Sequence, residues 1–264
     1  MTFLPKHSLD LDSNPLIGMV HLPPFKRSYK EILKFSLAEA KVLKEAKFDA
    51  ILIENFHDVP FPKERIPDEK LLIMGLVISE IISQIDIPCG VNILRNACVQ
   101  ALSVATITQA SFIRCNIYEG VYITSQGFIE GAAYEVQKKK HDLGSEVKIL
   151  ADIHVKHATP LGQVSLVESA KNALGRGCAD AIIVSGKETG KIINLKTLKT
   201  FVESFGIKPI LGSGLTLNNL DEYHPFISGA MVGTFLKTNV NDLSSPIDSV
   251  KAKDFAIAWN KGKY

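Results

Sequence analysis

Residues 147–157 read VKILADIHVKH. The first half is a short apolar run, the second a row of ionisable side chains. Such a run, bounded on both sides and rich in branched residues, is the pattern of a strand buried on both faces. Side chains alternate along a strand, so Asp152, His154 and Lys156 are expected on one face and Ile153 and Val155 on the other.

Seven more runs of this kind lie along the chain, at residues 16–20, 50–53, 89–94, 112–114, 181–184, 209–211 and 230–232. Between them stand amphipathic stretches at helical spacing, predicted as helices over 31–46, 68–84, 96–108, 128–143, 165–174, 195–205 and 250–259. The segment 217–222 has room only for a short helix. Gly144 and Gly175 fall where C-terminal caps are wanted. Eight strand-then-helix units in 264 residues predict an α/β fold, a (β/α)₈ TIM barrel. One domain over 1–264 is expected, with the barrel proper at about 15–262. The competitor, a doubly wound open sheet, usually has fewer strands and a Gly-rich first turn, and neither fits. Two long loops, 55–67 and 116–127, each follow a strand and are candidate lids.

The strand starts are bland (Pro15, Asp49, Pro88, Lys208), whereas nearly every strand end is polar. His21 ends the first run, Glu54 and Asn55 the second, and Asn92, Arg95 and Asn96 the third. Arg114 and Asn116 end the fourth, Asp152 through His157 the fifth, Ser185 and Lys187 the sixth. One Asn or Ser in such a place reads as a cap, but so many at one rim predict a functional site. Helices cover the outside of a barrel, so these groups are expected to point inward and upward.

Glu54 and Asp152 are the candidate general acids and bases, with His21 and His154 as proton carriers. Arg114 and Lys156 are placed to neutralise an anion, and Asn92, Asn116 and Ser185 to orient a substrate. Lys187 is a weaker candidate, as a Schiff-base lysine. No motif specifies a cofactor, but His21, Glu54, Asp152 and His154 are also types that hold a divalent metal such as Zn²⁺, Mn²⁺ or Fe²⁺. The seventh run ends in Gly212, Ser213 and Gly214, the eighth in Gly233 and Thr234. Barrels often bind phosphate with the loops at these two places, where glycine lets backbone N–H groups approach an anion. A tight turn with no ligand is the competing reading. Among the other histidines, His7 and His141 are expected to be exposed, His57 to sit in a lid and His224 to be structural.

A net charge of +2 from 30 basic and 28 acidic residues argues against a nucleic-acid surface. Lys138, Lys139 and Lys140 read as the wet face of a helix. No window nears the ~20 apolar residues of a membrane span, and residues 1–12 lack the apolar run of a signal peptide. The expected location is therefore cytoplasmic, and Cys89, Cys98, Cys115 and Cys178, with no CxxC pair, are expected to be reduced. Barrels of this size often dimerise, so a homo-oligomer is among the expected assemblies.

Taken in order, IGMVHLPP at 17–24, Glu54-Asn55 with Asp58 and Pro60, GVNILRN at 90–96, FIRCN at 112–116 and ADIHVKHA at 151–158 resemble the BtpA/SgcQ family of barrel proteins. Gly120 with Gly127, Val184-Ser-Gly186 with Thr189-Gly190, Gly212-Ser-Gly214 and Val232-Gly-Thr234 with Lys237 extend the resemblance to about residue 240. It implies a phosphate-binding barrel. The polar rim opposite the glycine turns makes the expected function an enzyme acting on a small phosphorylated metabolite, a sugar phosphate or ribosyl compound, with isomerase, lyase and glycosidic-bond hydrolase all open. The resemblance also implies an alternative, since the family's namesake is linked to accumulation of photosystem I reaction-centre proteins, a non-catalytic assembly role. The chain departs from the family pattern at Ala97, where Asp is common, at Ser185, where Thr is common, and at Thr238-Asn239 in place of Asp-Gly.

Overall fold

A computed structural model describes residues 3–262; the outermost positions of the expected 1–264 domain lie outside them. Eight parallel strands close into a barrel: β1 (Leu16–His21), β2 (Ala50–Glu54), β3 (Cys89–Asn92), β4 (Phe112–Cys115), β7 (Lys148–Asp152), β9 (Ala181–Val184), β10 (Ile210–Leu211) and β11 (Gly229–Val232). The strand between each pair of helices matches one of the eight apolar runs. The remaining strands, β5 (Val121–Thr124), β6 (Gly127–Glu130) and β8 (Ala158–Pro160), form a separate antiparallel sheet built from the loops after β4 and β7.

Helices α1 (Tyr29–Glu45), α2 (Asp68–Gln84), α3 (Cys98–Thr108), α4 (Ala133–Leu143), α5 (Leu166–Lys171), α6 (Leu195–Phe205), α7 (Leu220–Tyr223) and α8 (Ser249–Lys261) form the outer layer. Side chains order their starts: Ser28 and Glu31 make a capping box on α1, and Asp248 accepts from Val250 and Lys251 on α8.

The register puts alternate residues inside the barrel. Ile17, Met19, Ala50, Leu52, Phe112, Leu150, Ile183, Ile210 and Met231 make a buried apolar core there. Stepping two residues up each strand reaches His21, Glu54, Arg114, Asp152, Ser185, Gly212 and Gly233, so the strand period alone lifts the polar set to the mouth. Below, Leu9 belongs to the same core and seals the bottom. The segment carrying it is held by the Lys6 N–H on the Gln109 carbonyl (2.9 Å) and Lys6 Nζ on the Ile82 carbonyl (2.6 Å).

Four expectations are corrected. The helix predicted over 128–143 begins only at Ala133, because residues 127–130 pair with β5: Ile129 points in while Phe128 and Glu130 are exposed, a period of two. Gly175 is not a left-handed cap; it lies in a π turn (Asn172–Arg176), and Cys178 takes the positive φ (54°) that follows. His7 is half-buried rather than exposed. Cys98 and Cys115 form a disulfide with Cα atoms 5.4 Å apart, because the start of α3 backs onto β4. Cys89 stays a thiol, with burial pushing its pKa up to about 12.

Two glycines give opposite expectations. A Cβ at Gly90 would lie 2.2 Å from the Phe112 ring, whereas one at Gly75, inside α2, meets nothing within 4 Å. Gly90→Ala is expected to destabilise by about 1–3 kcal/mol through overpacking, and Gly75→Ala to stabilise by about 0.5–1 kcal/mol. Chemical denaturation of both variants checks the pair; equal shifts would contradict the inward layering.

Candidate active site

Arg114 and Asp152 meet at the centre of the mouth. Arg114 Nε and Nη2 each donate to one Asp152 carboxylate oxygen at 2.8 Å, and Asn116 Nδ2 adds a third bond at 2.9 Å. The two charged side chains are 1% and 0% exposed. Burial alone would lower the Arg114 pKa, but the charge and hydrogen bonds of Asp152, with Glu54 behind, outweigh it and raise it. Arg114 is therefore a fixed cation, and the Asp152 carboxylate is occupied in holding it.

On the other side of the mouth, His21 and Glu54 are opposite one another in the β1–β2 ladder. Glu54 Oε2 accepts a short hydrogen bond from Asn92 Nδ2. His21 stacks on Phe56 at 4.6 Å between centroids, and its Nδ1 is buried without a partner. Burial, and then the charges of Lys237, His57, Lys156 and Arg114, hold its pKa well below the ordinary value. His21 is thus a neutral imidazole at neutral pH. Lys237, one of the contributors, is itself buried and paired with Glu39 on α1 at 2.6 Å.

A cavity of about 290 Å³ joins these groups to the glycine loops. Its walls include His21, Glu54, Arg114 and Lys156 on one side and Gly212, Ser213, Gly214, Gly233 and Thr234 on the other. Burial lowers the Lys156 amine to about 8, with Arg114 adding to the effect. Thr189 and Gly190 complete the wall; no periodicity marks them, because they lie in a loop.

The glycines also have steric reasons to be glycine. A Cβ at Gly212 would fall 2.5 Å from Ser185 Oγ and 3.2 Å from Arg114 Nη2, so its absence makes room for both. Gly214 has φ +83°, and a Cβ there would meet the Ile192 nitrogen at 2.4 Å. Ser213 Oγ donates to the Lys191 carbonyl at 3.0 Å, tying this loop to the one after β9. Ser185 Oγ is buried with no partner.

His154 does not join the mouth. Its φ is +48°, so the alternation expected from Asp152 to Lys156 breaks there. Its N–H donates to Tyr122 Oη at 3.3 Å, and its side chain lines a separate cavity with His157, Lys187 and Leu166. The four residues offered together as metal ligands are therefore not gathered, and among the described residues no three His, Cys, Asp or Glu side chains converge as a metal site needs. Lys187 is exposed. His57 sits in the loop after β2, its Nε2 3.2 Å from the Leu243 carbonyl, and His224 packs on Trp259 at 4.7 Å.

Fold and mouth together define a (β/α)₈ barrel with an ionisable rim at the C-terminal strand ends. The sequence matches the BtpA family over residues 12–261, and the chain belongs to that family. An uncharacterised protein of Methanocaldococcus jannaschii is 42% identical, covering 94% of this chain and 96% of its own. The photosystem I biogenesis protein BtpA of Synechocystis is 36% identical, over 94% of this chain and 89% of its own. Among solved structures, thiamine phosphate pyrophosphorylase from Pyrococcus furiosus superposes with a TM-score of 0.59 at 13% identity, over 96% of this chain and 98% of its own. That likeness is one of fold. No helix among the described residues is long and apolar enough to cross a membrane.

Two outcomes test the electrostatics. Asp152→Ala leaves the buried Arg114 cation unpaired and is expected to cost about 3–5 kcal/mol of stability. Adding Arg114→Met recovers most of it, as a double-mutant denaturation cycle will show. The second outcome concerns Lys156, whose folded pKa near 8 lies below its ordinary 10.5. The unfolded state then binds more protons between those values, so wild-type stability rises with pH across that window. Lys156→Met is expected to be the more stable protein below pH 8, with its advantage shrinking towards pH 10.5.

Proposed function

We propose that this protein is an enzyme acting on a small phosphorylated metabolite, a sugar phosphate or ribosyl compound, by acid/base chemistry at the strand ends. The observation that carries this reading is one cavity bounded by Glu54, Arg114 and Lys156 on one side and the Gly212–Gly214 and Gly233 turns on the other. Those turns take a phosphate at the place in a barrel where phosphate is often bound. Thiamine phosphate pyrophosphorylase, a neighbour in fold, carries a phosphorylated compound in its name.

Glu54 is the acid/base group, since its carboxylate lines the cavity and takes one hydrogen bond from Asn92. Asp152 and Asn116 act as positioning residues, holding Arg114 so that its free edge faces the ligand. Arg114 and Lys156 neutralise the anionic substrate or the negative charge that develops on it. His21, neutral, offers Nδ1 to a substrate hydroxyl, and Ser185 offers its unpartnered Oγ. A divalent metal remains a proposal for which only His21 and Glu54 face the cavity.

A second reading, an assembly role, follows from the name of the Synechocystis relative. Docking alone, however, gives no use for buried unpartnered groups at the mouth.

The test is a thermal-shift series with inorganic phosphate and phosphorylated sugars, with and without chelator. A ligand at 100 times its Kd adds about 2.7 kcal/mol. Gly214→Val is expected to abolish the shift. Glu54→Gln is expected to keep it while lowering kcat by about 10²–10⁴ on any substrate so found. An unshifted, folded wild type across the series would discard the phosphate reading.

A further inference from the structure

A second cavity, of about 360 Å³, leaves the same mouth and runs beneath the β5–β6 turn. It shares Glu54, Phe56, Arg114, Lys156 and Thr189 with the first. The site is therefore two arms joined at a neck, and the neck holds the acid/base group and both cations. The glycine turns belong only to the first arm.

The second arm has a different chemistry. Phe56 and Phe61, with Val59 and Leu94, give it apolar and aromatic walls. Asn116 lines it, and Asn116 Oδ1 is buried with no partner. The orientation of that amide is fixed, because Nδ2 is committed to the Asp152 carboxylate. Gln126, at the hairpin tip, also lines the arm and has a buried, unpartnered Oε1. Arg95 uses one donor on the Lys156 carbonyl, 2.7 Å away, and a guanidinium has five.

An apolar occupant would leave two buried acceptors unsatisfied, which is costly. A planar ring covers two aromatic walls with both of its faces more fully than a puckered sugar does. We infer that the second arm takes a planar heterocycle carrying an N–H donor beside a carbonyl, as uracil, hypoxanthine and guanine do. Asn116 Oδ1 accepts from the ring N–H, Gln126 Oε1 accepts from the second donor that guanine alone of the three carries, Arg95 donates to the carbonyl, and Phe56 and Phe61 cover the ring. The inference rests on the phosphate reading of the first arm. It makes the ligand a phosphorylated ribosyl compound whose base and phosphate lie on opposite sides of the neck.

Isothermal titration calorimetry tests it on the intact protein with UMP, IMP, GMP, ribose 5-phosphate, and uridine and inosine. At least one monophosphate is expected to bind ten times or more tighter than ribose 5-phosphate. Gln126→Leu, a change at a half-exposed turn, should remove most of that gain and leave ribose 5-phosphate affinity unchanged. Phe61→Ala should do the same. Monophosphates no tighter than ribose 5-phosphate would overturn the second arm while leaving the phosphate reading intact. Loss of both ligands alike in Gln126→Leu would also overturn it. Nucleosides binding as well as their monophosphates would overturn the phosphate reading instead, and no binding by any probe would overturn both.

Discussion

The buried pair of Arg114 and Asp152 is the constraint around which the mouth is organised. Two full charges removed from water are tolerable only when every strong hydrogen-bonding direction is used. Here the guanidinium edge meets the carboxylate in two 2.8 Å bonds, and Asn116 fills a further lone pair. That requirement fixes β4 against β7 at their upper ends. It also explains why Gly212 bears no side chain, since a Cβ would crowd Arg114 Nη2 and Ser185 Oγ. The glycine-rich turn is as much a consequence of the ion pair as a feature for a ligand.

With Asp152 engaged, the electrostatics of the cavity follow. Arg114 is neutralised on one edge, and Lys156 contributes a second cation whose burial brings its amine to about 8. Glu54 is the carboxylate among the cavity walls. His21 is kept neutral by burial and the surrounding cations, with Lys237 foremost among them. Lys237 is itself held out of the cavity by Glu39 on α1. A neutral imidazole, one carboxylate and two cations suit an anionic ligand and a single proton transfer better than a pair of competing bases.

Much of this was legible because a barrel strand has one physical rule, alternation. Reading two residues up from each apolar position finds Glu54, Arg114, Asp152 and Ser185 on the inner face without knowledge of any contact. The rule failed at His154, where the backbone turns left-handed, a conformation a histidine gives no warning of. It failed again at residues 127–130, whose Phe and Ile suit a helix stripe as well as a strand. Pairing with β5 decided between them, and pairing is not local. Leu9 and Leu11 alternate with Ser8 and Asp10 in a segment that forms no strand, so their place against the barrel's inner core could be read only in three dimensions. Cys98 and Cys115 stand 17 residues apart, a separation with no spacing signature, and meet because a helix returns onto its following strand.

The three-stranded sheet stands on the barrel as a unit with packing of its own. Ile117, Tyr122, Ile129 and Val155 form its own small core, separate from the core inside the barrel. Because that core is self-contained, β5 and β6 are anchored near the mouth while their connecting turn, with Gln126, stays over it. The anchor comes from the loops after both β4 and β7, the strands that carry Arg114 and Asp152. The hairpin and the ion pair therefore share their mechanical support. A change in the loop core would be felt at the mouth through Asn116, which lies one residue before Ile117 and donates to Asp152.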